Sequence, residues 1–194
     1  MARDAAIAGF LAAAGWGASR PAPLAADASF RRYFRLADGD RRAVLMDAPP
    51  PHEAVRPYIA VAGMLRGHGL SAPEIFAEDR AQGLLLIEDF GDDTYTRLLA
   101  RGADEAGLYT LAIDTLFALQ RAVAAPPALP PYDAEALLRE AALLVEWYAP
   151  AVLPAPLPPA QCVEYLALWR AVLPLVATPA PTLVLRDYHV DNLM

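Results

Sequence analysis

The stretch LVLRDYHVDNLM, residues 183–194, joins an apolar run to a group of polar side chains that could carry chemistry. Asp187, His189 and Asn192 stand at the spacing D-x-H-x-x-N directly after residues 183–185. Two interpretations fit this pattern. It is either a catalytic loop that follows a strand, or a set of turn and capping residues where an ordinary strand ends.

Composition indicates a globular protein with an acidic balance of charge. The chain has 194 residues, of which 56% are hydrophobic, and this is enough for a sizeable core. The net charge of −7 argues against a protein held on nucleic acid or on an anionic membrane by a general electrostatic field. Cys162 is the single cysteine, which excludes an internal disulfide framework and suits a reducing compartment. We therefore expect a cytoplasmic protein that binds neither nucleic acid nor a membrane.

Two apolar stretches need to be distinguished from targeting or membrane segments. AAIAGFLAAAG, residues 5–15, has its larger apolar residues on one helical face and ends in glycine, which predicts an amphipathic helix and not a signal peptide. Residues 147–163 carry no charge but contain five prolines, which indicates a loop and not a membrane span. The apolar face of the first helix consists of Ile7, Phe10, Leu11 and Ala14.

The amino-terminal part of the chain alternates strands with helices. SFRRYFRL (29–36) and AVLMDA (43–48) flank ADGD (37–40), whose Asp-Gly step favours a hairpin turn. Apolar residues at helical spacing then predict a helix from Glu53 to Leu65. A second predicted hairpin follows, formed by PEIFAED (73–79) and GLLLIEDF (83–90).

The rest of the chain is predicted to be helical. Segments with broad apolar faces alternate with proline-rich stretches, as expected for packed helices joined by loops. We place a lobe boundary near Asp89, so that residues 1–89 form an amino lobe and residues 90–194 form part of a helical carboxy lobe. This order predicts an α+β fold. The three predicted helices span Asp104–Ala124, Asp133–Ala149 and Ala160–Val176.

These segments together resemble a known family. LRDYHVDN (185–192) is similar to the catalytic loop of the aminoglycoside phosphotransferase family, part of the wider protein-kinase-like group. DASFRRYFRL (27–36), VLMDAPP (44–50) and LLLIEDFGD (84–92) are similar to the branch that contains bacterial N-acetylmuramate and N-acetylglucosamine anomeric kinases of cell-wall recycling. The resemblance covers nearly the whole chain in the family's order. It implies a two-lobe kinase-like fold whose amino lobe binds the nucleotide.

The resemblance also implies roles for the loop residues. Phosphoryl transfer needs one carboxylate that faces the acceptor hydroxyl and an oxygen ligand that faces Mg²⁺. Asp187 is accordingly the expected catalytic base, and Asn192 the expected metal ligand. His189 is expected to brace the loop by hydrogen bonds, although a histidine satisfied within the core is the alternative.

The phosphate-binding end of the site departs from the family pattern. No G-x-G-x-x-G motif is present, so Ser29, Arg31 and Arg32 are the candidates for contacts to ATP phosphates. Alternation along a strand sends the two arginines to opposite faces, so at most one is expected to bind directly. The alternative is a hairpin strand with solvated arginines.

The sequence contains no lysine at all, although the family uses a third-strand lysine to anchor the α- and β-phosphates. The equivalent position falls near Met46 or Asp47, and neither can make that contact. The usual acidic partner in the following helix is also not identifiable, because Glu53 comes early for that role.

A hinge for the nucleobase is expected where the last predicted strand ends. Glu88, Asp89 and Phe90 lead into a glycine-containing crossover and are the candidates for adenine contacts. These residues are also compatible with a strand that runs into a helix cap at Asp92 or Asp93.

The expected activity is ATP- and Mg²⁺-dependent phosphorylation of a small molecule, with the anomeric hydroxyl of an amino sugar as the specific acceptor. An aminoglycoside or another small alcohol is the alternative acceptor. A non-catalytic pseudokinase-type binding protein is the alternative function, and the missing lysine favours it. Any full-length parent is expected to be monomeric.

The position of the catalytic-type loop carries a further expectation. In kinase-like proteins this loop is followed by a strand pair with an Asp that binds Mg²⁺, and here two residues follow Asn192. We therefore expect residues 1–194 to be a piece of a longer kinase. We also expect this piece to be inactive by itself and to expose apolar surface on its carboxy lobe.

Overall fold

The computed structural model describes residues 2–24, 30–123, 129–176 and 182–194. The chain forms two compact units. One contains residues 1–123 together with 185–194, and the other contains residues 124–184. The lobe boundary near Asp89 stays a prediction.

A five-stranded antiparallel sheet forms the centre of the first unit. Its strands run in the order β1-β2-β3-β5-β4, and the two predicted hairpins are confirmed as β2–β3 and β4–β5. Strand β1 was not predicted, since its two residues are too few to show a pattern. The strands are β1 (Ala22–Pro23), β2 (Arg32–Asp38), β3 (Arg41–Asp47), β4 (Ile75–Asp79) and β5 (Leu84–Ile87).

Helix α1 (Ala2–Ala13) covers one face of the sheet. Leu11 is buried there against Leu36, Leu45 and Leu86, as its place on the apolar face of the predicted helix requires. The predicted end at glycine is also confirmed, because Gly15 takes a φ of +77° that suits a residue without a side chain.

Helix α2 (Arg56–Gly67) packs on the face of the sheet opposite to α1. Its Ile59 packs against a cluster that includes Val44, Met46 and Leu85, whose side chains alternate with those on the α1 side. The helix begins later than Glu53 because it has a proline in its first turn, a position that prolines favour.

The helices after residue 93 largely follow the predicted pattern, with ends that differ by a few residues. In the last predicted helix, α7, regular α-structure stops before Pro174 and a short 3₁₀ turn, Leu173–Leu175, follows. A π-helical turn, Leu144–Tyr148, interrupts the second. The α-helices are α3 (Tyr95–Ala100), α4 (Glu105–Ala122), α5 (Ala134–Leu143), α6 (Ala149–Val152) and α7 (Pro159–Val172).

Helix α3 corrects the expected cap at Asp92 or Asp93. Its N-cap is Thr94, whose hydroxyl accepts a hydrogen bond from the backbone N–H of Arg97 at 3.3 Å. A threonine in this position satisfies a donor that the first helical turn leaves unpaired. The two aspartates instead form ion pairs with arginine side chains.

The apolar run 183–185 is not a strand, which corrects the expectation that the polar loop follows one. Within the described residues, only an isolated bridge at Thr182 has strand character near it. A strand is defined by its pairing with a neighbour, and an apolar run alone does not supply that neighbour.

Large apolar side chains are exposed on several carboxy-terminal helical segments, in line with the sequence expectation. Examples are Leu111 at 58%, Trp147 at 73% and Leu175 at 81% of full exposure. No helix in the described part of the chain combines the length and apolar character that crossing a bilayer requires.

Candidate active site

The segment around residues 185–194 is a chain of tight turns. The backbone N–H of Asp187 donates to Leu185 O at 2.7 Å, and that of His189 donates to Asp187 O at 3.1 Å. Arg186 has a φ of +62°, the left-handed region that side chains disfavour. Among the described residues it is the only non-glycine in that region, and such outliers concentrate at functional sites.

Asn192 is held so that its side-chain oxygen points away from the loop backbone. Its Nδ2 donates to the carbonyl oxygen of Asp187 at 3.0 Å. A carbonyl oxygen accepts but never donates, so this contact fixes which end of the amide faces the backbone. The Asn192 Oδ1 has no hydrogen-bond partner among the described residues, and it is therefore available to a ligand.

His189 links neighbouring residues of the loop. Its Nε2 lies 3.2 Å from Asn192 Nδ2, while Nδ1 lies 3.4 Å from the backbone nitrogen of Asp191. In the contact with Asp191 the backbone N–H donates and Nδ1 accepts. That nitrogen is 3.6 Å from the Asp191 carboxylate. Because His189 is 51% exposed, it is not the buried core histidine that was the alternative.

The loop is fastened to the start of α3. The backbone N–H of Tyr95 donates to Leu193 O at 2.9 Å, and that of Thr96 donates to Val190 O at 3.2 Å. The Thr96 hydroxyl also donates to the Asp191 carboxylate. Sequence reasoning missed these anchors, since nothing local to Thr96 signals a partner 95 positions away.

A second anchor joins the loop to α4. The Tyr188 hydroxyl donates to the carbonyl oxygen of Ala112 at 2.7 Å. Burial, with a smaller contribution from Tyr95, raises the pKa of the Tyr188 phenol, so this hydroxyl stays protonated as a donor. The loop is thus held at its middle as well as at its end.

Asp187 differs from its neighbours in having an uncommitted side chain. Its backbone takes part in the turns, yet its exposed carboxylate has no hydrogen bond or ion pair with any described residue. A carboxylate in this state can accept a proton or bind a cation without first breaking a contact. Asp187 and Asn192 therefore offer two available oxygen groups from one loop.

The sheet separates the two arginine candidates. Arg32 pairs with Asp47 across β2 and β3, and its Nε donates to Asp47 Oδ2 at 3.0 Å. Arg3 of α1 donates to the other oxygen of the same carboxylate at 2.9 Å. Arg31 instead donates from Nε to Glu53 Oε2 at 3.0 Å. Ser29, the third candidate for phosphate contacts, lies outside the described residues.

The side chains at the predicted hinge are engaged within the protein. Glu88 accepts from the backbone nitrogen of Glu74 at 3.1 Å. The Asp89 carboxylate lies 2.7 Å from the Nε of Arg35, and hydrogen bonds to Asp92 and Asp89 raise the pKa of that guanidinium.

The hinge backbone is more open than its side chains. In the described part of the chain, the peptide groups of Asp89 and Phe90 have no hydrogen-bond partner. Phe90 is 39% exposed. Peptide groups of this kind can hydrogen-bond the edge of a nucleobase, and the role of Asp89 and Phe90 in binding adenine stays a prediction.

The similarity of the chain to known proteins identifies its family. Residues 21–194 match the model of the phosphotransferase enzyme family (APH). The chain belongs to this family. The α+β architecture, with its antiparallel five-stranded sheet followed by helices, is consistent with the kinase-like fold of APH proteins.

Several curated relatives that are similar to this APH chain carry the same name. It is 42% identical to the N-acetylmuramate/N-acetylglucosamine kinase of Pseudomonas aeruginosa over 98% of this chain and 57% of that protein. It is 35% identical to the N-acetylmuramate/N-acetylglucosamine kinase of Caulobacter vibrioides over 99% of this chain and 62% of that protein. The APH chain described here thus spans about three fifths of the length of these relatives.

Proposed function

We propose that the protein carrying this chain transfers the γ-phosphate of ATP to the anomeric hydroxyl of N-acetylmuramate or N-acetylglucosamine. The observation that carries this proposal is the loop in which the Asp187 carboxylate has no partner among the described residues and Asn192 has an amide oxygen turned away from the backbone. The names of the curated relatives support the choice of acceptor.

The chemistry assigns a role to each group of the loop. The Asp187 carboxylate accepts the proton of the acceptor hydroxyl as that oxygen attacks the γ-phosphorus, and the bond from phosphorus to the ADP oxygen breaks. The Asn192 Oδ1 would hold Mg²⁺, which would supply positive charge next to the transferred phosphoryl group. His189 and Asp191 keep the loop in shape through the contacts described above.

The donor set suits Mg²⁺. This ion prefers oxygen ligands, keeps several waters, and in kinases shares its shell with phosphate oxygens, so one or two protein oxygens are enough. Among the described residues, no group of three or more His, Cys, Asp or Glu side chains could hold a metal by itself. A site in which phosphate oxygens of the nucleotide complete the Mg²⁺ shell agrees with this preference and with the small number of protein ligands.

The nucleotide is assigned to the amino-terminal sheet and the hinge that follows it. The unpaired peptide groups of Asp89 and Phe90 are suited to adenine, and the α2 side of the sheet carries the Arg31 guanidinium for the phosphates. We assign the reaction to the cytoplasm and to cell-wall recycling, because ATP is available there and the resemblance described above points to that pathway.

The test is to identify the phosphorylated position. Purified protein is incubated with ATP, Mg²⁺ and each sugar, and the product is followed by phosphorus NMR. We expect a sugar 1-phosphate from both free sugars. Methyl glycosides of the same sugars lack the anomeric hydroxyl and serve as matched controls that should give no product. Equal phosphorylation of sugar and methyl glycoside would exclude the anomeric hydroxyl, and transfer to an aminoglycoside alone would favour the alternative acceptor.

A non-catalytic binding protein is the second candidate. The observation in its favour is Met46, a buried apolar residue near the third-strand position where the family has a lysine. The same assay separates the two functions, because a binding protein would retain nucleotide or sugar without forming any phosphorylated product.

A further inference from the structure

We infer that Glu53 positions the guanidinium of Arg31 as the anchor for the nucleotide's phosphate chain, in place of the lysine that this chain lacks. The inference rests on the proposed function, since it concerns how the same site holds its nucleotide. It names one phosphate-contacting residue, Arg31, and one positioning residue, Glu53.

The anchor for the phosphates must lie on the face of the sheet that α2 covers. In protein kinases the third-strand lysine pairs with a glutamate of the helix that follows that strand. The equivalent helix here is α2, so the anchor belongs on the α2 side. Met46 of β3 lies in the cluster on that side and is fully buried. Its neighbour Asp47 binds Arg3 and Arg32, and alternation places it on the α1 side.

Arg31 supplies a cation on this face. Tyr33 packs in the α2-side cluster, and Arg31, which directly precedes β2, hydrogen-bonds with Tyr33 and lies within electrostatic range of Tyr58 in α2. Arg31 donates to Glu53 at 3.0 Å, and the two side chains are 32% and 15% exposed. This ion pair is therefore shielded from water more than a typical surface pair, while part of the guanidinium still reaches solvent.

Glu53 can hold the Arg31 guanidinium although it lies before α2. It lies in the connection between β3 and α2, and its backbone N–H donates to Pro49 O at 3.3 Å. Its position before the helix made it look too early for the acidic partner. Because the cation comes from the start of β2 and not from β3, an acid in the connection is the one that can reach it.

Arginine is chemically suited to this task. A guanidinium has five N–H donors in a planar fork, so one side chain can serve a carboxylate, a phenol and a phosphate together. Burial alone would lower the pKa of Arg31, but Tyr33 and Glu53 raise it above its ordinary value. A permanent positive charge in this place favours a triphosphate over an uncharged nucleoside.

The test compares ATP with adenosine by titration calorimetry on the protein that carries this chain. Arg31→Ala should weaken ATP binding by about 10- to 100-fold, the loss expected for a hydrogen bond to a charged group, and should change adenosine binding by less than about 2-fold. Arg31→Lys keeps the positive charge and should therefore lose less ATP affinity than Arg31→Ala. Glu53→Gln should weaken ATP binding by about 3- to 10-fold in the wild-type background and have little further effect when Arg31 is already alanine.

The control is Arg80→Ala, since Arg80 is a surface arginine paired with Glu78. Its ATP affinity should stay at the wild-type value. Unchanged ATP binding in Arg31→Ala, while the wild type transfers phosphate, would overturn the inference but leave the proposed function intact. Equal losses for ATP and adenosine in a folded Arg31→Ala variant would also overturn it, because the lost affinity would then not depend on the phosphates. If Arg31→Ala does not fold, the Arg31→Lys and Glu53→Gln variants decide. A wild type that binds no nucleotide would overturn both proposals.

Discussion

Asp47 and Asp187 both follow short apolar runs, and their surroundings are opposite. The Asp47 side chain is completely buried at the end of β3, and two arginines from α1 and β2 occupy its two oxygens. The Asp187 side chain is exposed and has no partner in the described part of the chain. A carboxylate whose oxygens are all engaged stabilises a fold, whereas one held in place only through its backbone remains available for chemistry.

The adjacent arginines repeat this contrast. Arg32 is committed to the buried Asp47, while Arg31 faces the other side of the sheet and pairs with the partly exposed Glu53. One position along a strand is enough to change a residue from scaffold to candidate ligand contact, because successive side chains point to opposite faces.

Removing Asp47 should have the largest effect on stability. Asp47→Ala removes the buried carboxylate that Arg3 and Arg32 share, and we expect a loss of about 3 to 5 kcal/mol in the free energy of unfolding. Urea denaturation measures this loss. Asp114→Ala is the matched control, since Asp114 is exposed on α4 and should change stability by no more than about 0.5 kcal/mol. A small loss for Asp47→Ala would break the comparison.

Substitution of Gly83 tests whether the close packing at the end of β3, where Asp47 is buried, stabilises the fold. The backbone N–H of Ala48 donates to Gly83 O at 2.8 Å, and a Cβ on Gly83 would lie 2.0 Å from Ala48 O. Gly83→Ala should therefore cost more than about 2 kcal/mol. Gly39→Ala shares a positive φ but has open space around the added carbon, so it should cost only about 1 kcal/mol in the same denaturation experiment. Equal costs would mean that the close approach is unimportant.

Tyr58 gives a smaller effect that depends on pH. Burial, with a contribution from Tyr33, raises the pKa of its phenol from 10.0 to about 12, against an opposing effect of Arg31. The unfolded chain therefore loses this proton first, and the stability present below pH 10 falls as the pH rises toward 12. Tyr58→Phe should remove about 2 kcal/mol of that alkaline loss, measured as the difference in unfolding free energy between the two ends of this range. An identical pH profile in the variant would contradict the assignment.

The sequence predicted the elements whose signals are local. The β2–β3 hairpin follows from an Asp-Gly turn between strand-forming residues, and α1 follows from apolar spacing that ends at Gly15. The start of α3 was expected at Asp92 or Asp93, and the N-cap is Thr94, whose hydroxyl accepts from the Arg97 N–H. The run 183–185 was wrongly expected to be a strand, since strand pairing depends on a neighbour that the run does not specify.

The candidate site was predictable in its residue types but not in its contacts. The D-x-H-x-x-N spacing singled out Asp187 and Asn192, and the amide orientation became clear only from the Asp187 carbonyl contact. The ion pair of Arg32 requires Asp47, 15 positions away, and the hydrogen bond that anchors the loop to Thr96 requires Asp191, 95 positions away. Such long-range pairs follow from the fold and not from any local pattern.

The most direct test of the central claim is the turnover of Asp187→Asn. Asparagine keeps the size of the side chain and removes the proton acceptor, so kcat for phosphate transfer to the amino sugar should fall by about two to four orders of magnitude. The KM for ATP should stay nearly constant, and the unfolding free energy should stay within about 0.5 kcal/mol of the wild type, because this carboxylate contacts no partner in the described part of the chain. Undiminished turnover in the folded variant would remove Asp187 from the mechanism and contradict the account.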